Sequence, residues 1–203
     1  DKLKELQEIF DEEAWKYNVY PLYDDMIARL GKQQDRLFGD QKVFTYYAPG
    51  AVRIAEKTSA PVKNRSHRIE TTIDLTGKEE GVIVCVGGMT GGFTMFIKGR
   101  RLYYDYNFLD GVYYGLKSPK LPKGKVDLKF NLIKTGEFAG TGELYVNGEK
   151  VDEVEMPQMH ISTYSLAETF DIGRDTGTQV SKTYKDPFPF NGELDKVVIT
   201  ITE

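Results

Sequence analysis

Apolar and polar positions change their spacing once along this chain, and the change divides it in two. Residues 2–17 (KLKELQEIFDEEAWKY) repeat apolar side chains every three or four positions, at Leu3, Leu6, Phe10, Ala14 and Tyr17. This predicts an amphipathic helix with one apolar stripe, and Glu12 with Lys16 supplies an i,i+4 pair on the exposed side. Asn18 tolerates the left-handed conformation that ends a helix, and Pro21 discourages its resumption. A stripe of Leu and Phe on a lone helix cannot bury itself, so it is expected to pack on a neighbouring domain. Residues 26–41 are polar and interrupted by glycine, and read as a helical turn followed by a loop.

From Val43 onward the period falls to two. Runs such as VFTYY, HRIETTIDL, FTMFIKG, KVDLKFNLIK and ELDKVVITIT are short, rich in β-branched and aromatic residues, and separated by Gly, Pro, Asn or Asp. Ile69, Thr71 and Ile73 fall on one side of their run, as do Val126, Leu128, Phe130 and Leu132. Such runs predict a mainly β fold, an antiparallel β-sandwich or barrel. The lack of a fixed-length repeat argues against a propeller. Two tight hairpins are legible, one at Asn147-Gly148 and one at Gly99. The division is therefore residues 1–40 for the helix and loop, and 41–203 for the β domain.

Composition narrows the function only by exclusion. The net charge is −4 with no basic stripe, so nucleic acid is not an expected partner. No apolar run approaches the ~18 residues of a membrane span, so no membrane partner is expected either. A single cysteine, Cys85, excludes an internal disulfide. The chain opens at Asp1 directly into the helix, which reads as a piece of a longer protein.

Candidate chemistry is sparse. VCVGGMTGGFTMF, residues 84–96, follows a strand but lacks the lysine and the following helix of a phosphate loop, so it reads as a hairpin. Cys85 lies in an apolar run and is expected to be an inert core thiol. His67 and His160 are the only histidines and lack metal-ligand spacing; Ser66 and His67, adjacent on a strand, point to opposite faces. Glu168, Asp171, Asp175 and Thr176 concentrate oxygen near two glycines. The expected role is turn capping, with Asp171 and Asp175 as candidate calcium ligands. Pairing RLYYDYN with VYYGLK through a Phe108-Leu109-Asp110 loop sets Tyr104 opposite Tyr114 and Asp105 opposite Tyr113. Leu102, Tyr104, Tyr106, Val112, Tyr114 and Leu116 then face inward. Tyr103, Asp105, Tyr113 and Lys117 face outward as a polar-aromatic patch for docking a neighbouring domain or a sugar.

Several blocks together resemble the C-terminal region of the large bacterial arylsulfatases: LKELQEIFDEEAWKYNVYPL, YYAPGAVRIAEKTSAPVKNRSHRIETTIDL, EGVIVCVGGMTGGFTMFIKGRRLYYDYN, LYVNGEKV and ETFDIGRDTGTQVSKTYKDPFPFNGELDKVVI. LYVNGEKV and FNGELDKVVI are also similar to strands of laminin-G and concanavalin-like jelly rolls, which agrees with a sandwich. The sulfatase resemblance implies a preceding catalytic domain, carrying calcium and a formylglycine, that hydrolyses sulfate esters. It also makes a periplasmic or extracellular parent an expectation. Cys85 is followed by Val86-Gly87-Gly88-Met89, so it does not fit the formylglycine context, and no catalytic position of the family maps onto this chain.

The first expectation is thus a non-catalytic accessory domain, without a cofactor of its own, that supports a sulfatase catalytic domain in cis. A lectin-like carbohydrate-binding module with a glycan partner is the second. A jelly-roll glycosidase is the third; it needs two carboxylates about 5 to 9.5 Å apart, for which Asp105 and Asp127 are candidates.

Overall fold

Strand alternation resolves into two packed sheets in a computed structural model, which describes residues 2–22, 37–109 and 111–203. Helix α1 (Lys2–Lys16) comes first. The strands follow in chain order: β1 (Val43–Tyr47), β2 (Ile54–Ala55), β3 (His67–Leu75), β4 (Gly81–Gly88), β5 (Gly91–Lys98), β6 (Arg101–Leu109), β7 (Val112–Lys120), β8 (Gly124–Gly136), β9 (Ala139–Val146), β10 (Glu149–Met156), β11 (Thr169–Ile172) and β12 (Lys196–Ile201). The first sheet has the order β1-β12-β3-β8-β9-β10 and the second β2-β11-β4-β5-β6-β7, all pairs antiparallel. The architecture is an antiparallel β-sandwich of jelly-roll type with one N-terminal helix.

The side chains expected inside are inside. Ile69, Ile73, Val126, Leu128 and Phe130 of the first sheet meet Phe93, Met95, Leu102, Tyr104 and Phe170 of the second in one dry core. Tyr104 stacks on Phe130 with ring centroids 3.5 Å apart, joining the two layers. Burying side chains of this size contributes roughly 1.5–3 kcal/mol each.

β4 and β5 are buried on both faces, which explains why GVIVCVG reads as a continuous apolar run. A strap of residues 174–190 crosses the outer face of the second sheet. Its Val180, Tyr184 and Phe188 pack with Val82, Cys85 and Phe96 in a second, smaller core.

Turn chemistry follows the residues. Asn147 and Gly148 (φ 51° and 83°) join β9 to β10, and Gly99 with Arg100 (φ 57° and 59°) joins β5 to β6. Positive φ at both central positions is the I′ geometry that matches strand twist. The glycine-rich stretch is the β4–β5 hairpin, closed at the Gly88–Gly91 pair. A Cβ on Gly91 would lie 2.3 Å from Nε2 of His160, so glycine there admits the imidazole against the backbone.

Three expectations need correction. The β6–β7 register is displaced by two: Tyr104 faces Leu116 and Asp105 faces Gly115, while Tyr106 faces Tyr114. The strands run on to Leu109 and resume at Val112, so the connection is shorter than the three-residue loop assumed. An even displacement preserves the faces; Leu102, Tyr104, Tyr106 and Leu116 are buried, but Val112 beside the turn is 43% exposed. On α1, Lys16 pairs with Glu13 (3.0 Å) instead of Glu12. Asn18 ends that helix at φ 57°. Leu3, Leu6 and Phe10 of its stripe are exposed and only Ala14 is buried. Most of the polar segment at 26–41 lies outside the described residues; within it, residues 37–38 form a helical turn.

Candidate functional site

The sandwich has two outer faces, and they differ in what covers them. On the second sheet, Tyr103 pairs with Lys117, Asp105 with Gly115, and Asn107 with Tyr113, so Tyr103, Asp105, Tyr113 and Lys117 do share the outward face. The strap encroaches on this face. The Ser181 hydroxyl donates to Asp105, whose carboxyl is raised above the usual range by burial. Tyr103 stacks on Phe96, 5.0 Å between centroids, and Lys117 lies 5.2 Å from the Tyr103 ring. Lys182 of the strap lies 4.6 Å from the ring of Tyr113. The four residues form a half-covered band rather than an open platform.

Under the strap, Asp171 and Asp175 act as caps. Asp171 accepts from the Arg53 amide and from the hydroxyls of Thr169 and Thr176. Asp175 accepts from the Val180 amide and from Tyr184 Oη. Burial raises the Asp175 carboxyl, while its hydrogen bonds pull the other way. Among the described residues no three His, Cys, Asp or Glu side chains come together as a metal site. Cys85 is fully buried and donates to the Arg174 carbonyl (3.3 Å); burial, then the charges of Asp175 and Asp171, push its thiol up. Among the described residues it has no activating cation, as a nucleophile requires.

Among the described residues neither histidine has a catalytic partner. Nδ1 of His67 lies 2.8 Å from the Arg65 carbonyl, and Ser66 Oγ accepts from the Lys134 amide. His160 sits among Tyr106, Phe108 and Tyr164 behind the glycine hairpin. At the same end, Glu56 holds the Lys63 ammonium, the Thr163 hydroxyl and the Tyr164 amide. Glu56 is buried and Lys63 nearly so, and the carboxylate pins the 160–165 loop to the short 3-10 turn Glu56–Thr58.

The outer face of the first sheet is open. Cross-strand registers place polar side chains in rows there. One row is Thr45, Val198, Glu70, Lys129, Tyr145 and Lys150, running from β1 to β10. Beside it, Thr72 faces Asp127, and its hydroxyl donates to Asp127 Oδ1 (2.6 Å). The Asp127 amide donates to Asn147 Oδ1 of the β9–β10 turn, which fixes the backbone that carries the carboxylate. The middle of these rows, on β12, β3 and β8, lines a groove of about 430 Å³ bounded by Glu70, Thr72, Asp127, Lys129, Asp195 and Lys196, with Tyr145 on β9 just outside it. Lys129 Nζ stands 4.1 Å from the centre of the Tyr145 ring. Tyr145 Oη donates to Glu143 (2.6 Å), which also pairs with Lys150 (3.2 Å).

This face holds acceptors and donors within a cleft of ligand size, with one anchored aromatic ring beside it. That set can hydrogen-bond a polyhydroxylated molecule, with carboxylates accepting from hydroxyls and ammonium groups donating to oxygens. Its carboxylates are not a glycosidase pair with Asp105: Asp127 and Asp105 stand on opposite outer faces, with two sheets, stacked ~10 Å apart, between them. Apart from Asp127, sequence reasoning passed over this groove, because polar residues alternating with apolar ones read simply as the wet side of a strand.

Neither a protein-family model nor a curated protein sequence matches the chain. Solved structures do match in backbone. A leech intramolecular trans-sialidase is similar at 15% identity over 80% of this chain and 27% of its own, with a TM-score of 0.56. The CBM40 of a Ruminococcus gnavus IT-sialidase is 14% identical over 80% of this chain and 92% of its own, with a TM-score of 0.51. The NanB sialidase of Streptococcus pneumoniae is 12% identical over 79% of this chain and 27% of its own, with a TM-score of 0.54. The chain therefore spans about a quarter of the two enzymes and nearly all of the isolated module. At these identities the likeness establishes the shared sandwich fold.

Proposed function

We propose that this chain is a lectin-like carbohydrate-binding module, which takes a glycan into the groove on the outer face of the first sheet. The carrying observation is the groove itself, where Thr72 holds the Asp127 carboxylate and Lys129 stands between Glu70 and the Tyr145 ring at the groove's edge. Pre-set polar groups cost little ordering on binding, and a fixed ring offers a face for a sugar. The fold is also that of a CBM40 and of a segment within two sialidases, which supports a module that holds a carbohydrate near an enzyme. Binding in this reading needs no cofactor in the chain. A glycan array probed with the chain and with Tyr145→Ala tests it: glycans captured by the parent and lost by the variant are expected. Equal capture by both would remove the groove from consideration.

The sulfatase parent implied by the sequence blocks draws no support from the three relatives named above, which are two sialidases and a sialidase module. One observation favours an accessory role beside a catalytic domain of some kind. Leu3, Leu6, Ile9, Phe10 and Trp15 of α1 stay exposed, a surface suited to packing against a neighbouring unit. The Tyr103, Asp105, Tyr113 and Lys117 band is a second docking candidate in that reading. Comparing hydrogen exchange of α1 and of this band in the chain and in a longer natural protein containing it would show protection at one, both or neither; protection at neither would end the docking role.

A further inference from the structure

The charges around the groove say which sugars it takes. Three carboxylates (Glu70, Asp127 and Asp195) and two ammonium groups (Lys129 and Lys196) line it, a local balance of −1. Among the described residues no arginine is in the lining. The nearby Arg68, on the same strand face as Glu70, is held by it at 2.7 Å. A planar guanidinium is the group that grips a sugar carboxylate or sulfate through two parallel hydrogen bonds, and lysine offers only a point charge. Of the two lysines, Lys129 already rests against the Tyr145 ring, cross-strand from Glu70. Asp127, by contrast, uses one oxygen on Thr72, and a carboxylate offers about four lone-pair sites.

Resting on the glycan reading above, we propose that the groove is selective for neutral sugars, whose hydroxyls donate to Asp127 and Glu70, and that it discriminates against acidic ones. A sialic acid, uronic acid or sulfated residue would bring a negative charge among three carboxylates, on a chain already carrying −4. Like charges within a Debye length repel, and salt screens them. The selectivity thus differs from what the sialidase likeness alone suggests, and it arises from side chains that the shared fold does not specify.

The test uses oligosaccharides that share one backbone in neutral, sialylated, uronic and sulfated forms, titrated calorimetrically into the intact chain at low and high salt. The neutral form is expected to bind at least about tenfold tighter, the equivalent of about 1.4 kcal/mol, with the gap narrowing at high salt. Asp195→Lys, at an exposed position, should shrink the gap between the neutral and acidic forms. Equal or tighter binding of any acidic form at low salt overturns the selectivity while leaving the glycan reading intact. If no form of any backbone binds, the glycan reading itself fails, and the selectivity with it.

Discussion

Lys129 Nζ lies 4.1 Å from the centre of the Tyr145 ring, across the β8–β9 pair on the open face of the first sheet. The contact costs little to form, because register already places the two residues side by side, and at a partly exposed site it is worth about 0.5–1 kcal/mol. Its larger effect is to fix the ring, whose hydroxyl is tied to Glu143 at the same time. Tyr145→Ala should therefore weaken glycan affinity about tenfold or more while moving the melting temperature little. Tyr145→Phe, which keeps the ring and loses the Glu143 bond, should fall between the two. Calorimetric titration of the three proteins checks this; a Tyr145→Ala variant with unchanged affinity would contradict it.

Asp127 should matter through its charge and its fixed position. Asp127→Asn keeps the shape and an acceptor for the Thr72 hydroxyl but loses half of the carboxylate's accepting capacity. The expected loss is about 1–2 kcal/mol of binding, and Thr72→Val should cost less than Asp127→Asn because it only frees the carboxylate. An Asp127→Asn variant that binds as tightly as the parent would separate the groove from the function.

Gly91 is required by its surroundings. It has φ 149°, and any Cβ there meets the His160 ring. Gly91→Ala should destabilise the chain by roughly 1–3 kcal/mol. Adding His160→Ala should recover only the steric part, because the backbone strain remains. Urea denaturation of the single and double variants measures both parts; full recovery in the double variant would show that the backbone tolerates alanine.

His67 gives the fold an acid limit. Its imidazole is fully buried, and burial pushes it down to about 4, with the Arg65 carbonyl and Glu203 acting in the opposite direction. In the unfolded chain it titrates near 6.5. The folded state thus binds this proton more weakly than the unfolded state. The His67 contribution is fully present above pH ~6.5 and is lost as pH falls toward ~4, amounting to about 3 kcal/mol. Stability measured by urea at pH 7 and pH 4.5 should fall more steeply for the parent than for His67→Gln. Parallel curves would contradict the assignment.

The parts of this molecule that repeat were legible in its sequence. Alternation at Ile69-Thr71-Ile73 and Val126-Leu128-Phe130 follows directly from strand geometry and one buried face, and both runs sit in the core. Asn147-Gly148 and Gly99 declared their hairpins because few residues accept positive φ. The β6–β7 register was not legible, since a displacement of two keeps every face and leaves the apolar pattern unchanged. The strap was hidden for a different reason: Val180, Tyr184 and Phe188 cover Phe96 and Cys85 without any period of their own. The groove was the least visible feature. Glu70 on β3, Asp127 and Lys129 on β8, and Lys196 on β12 lie far apart in the chain, and only the sheet brings them together.

The most direct measurement follows amide chemical shifts of the isotope-labelled chain as a glycan captured on the array is added. The account predicts shifts concentrated at Glu70, Thr72, Asp127, Lys129, Tyr145 and Lys196, saturating together with one affinity. Shifts confined to Tyr103, Asp105 and Tyr113, or to α1, with the groove silent, would contradict it.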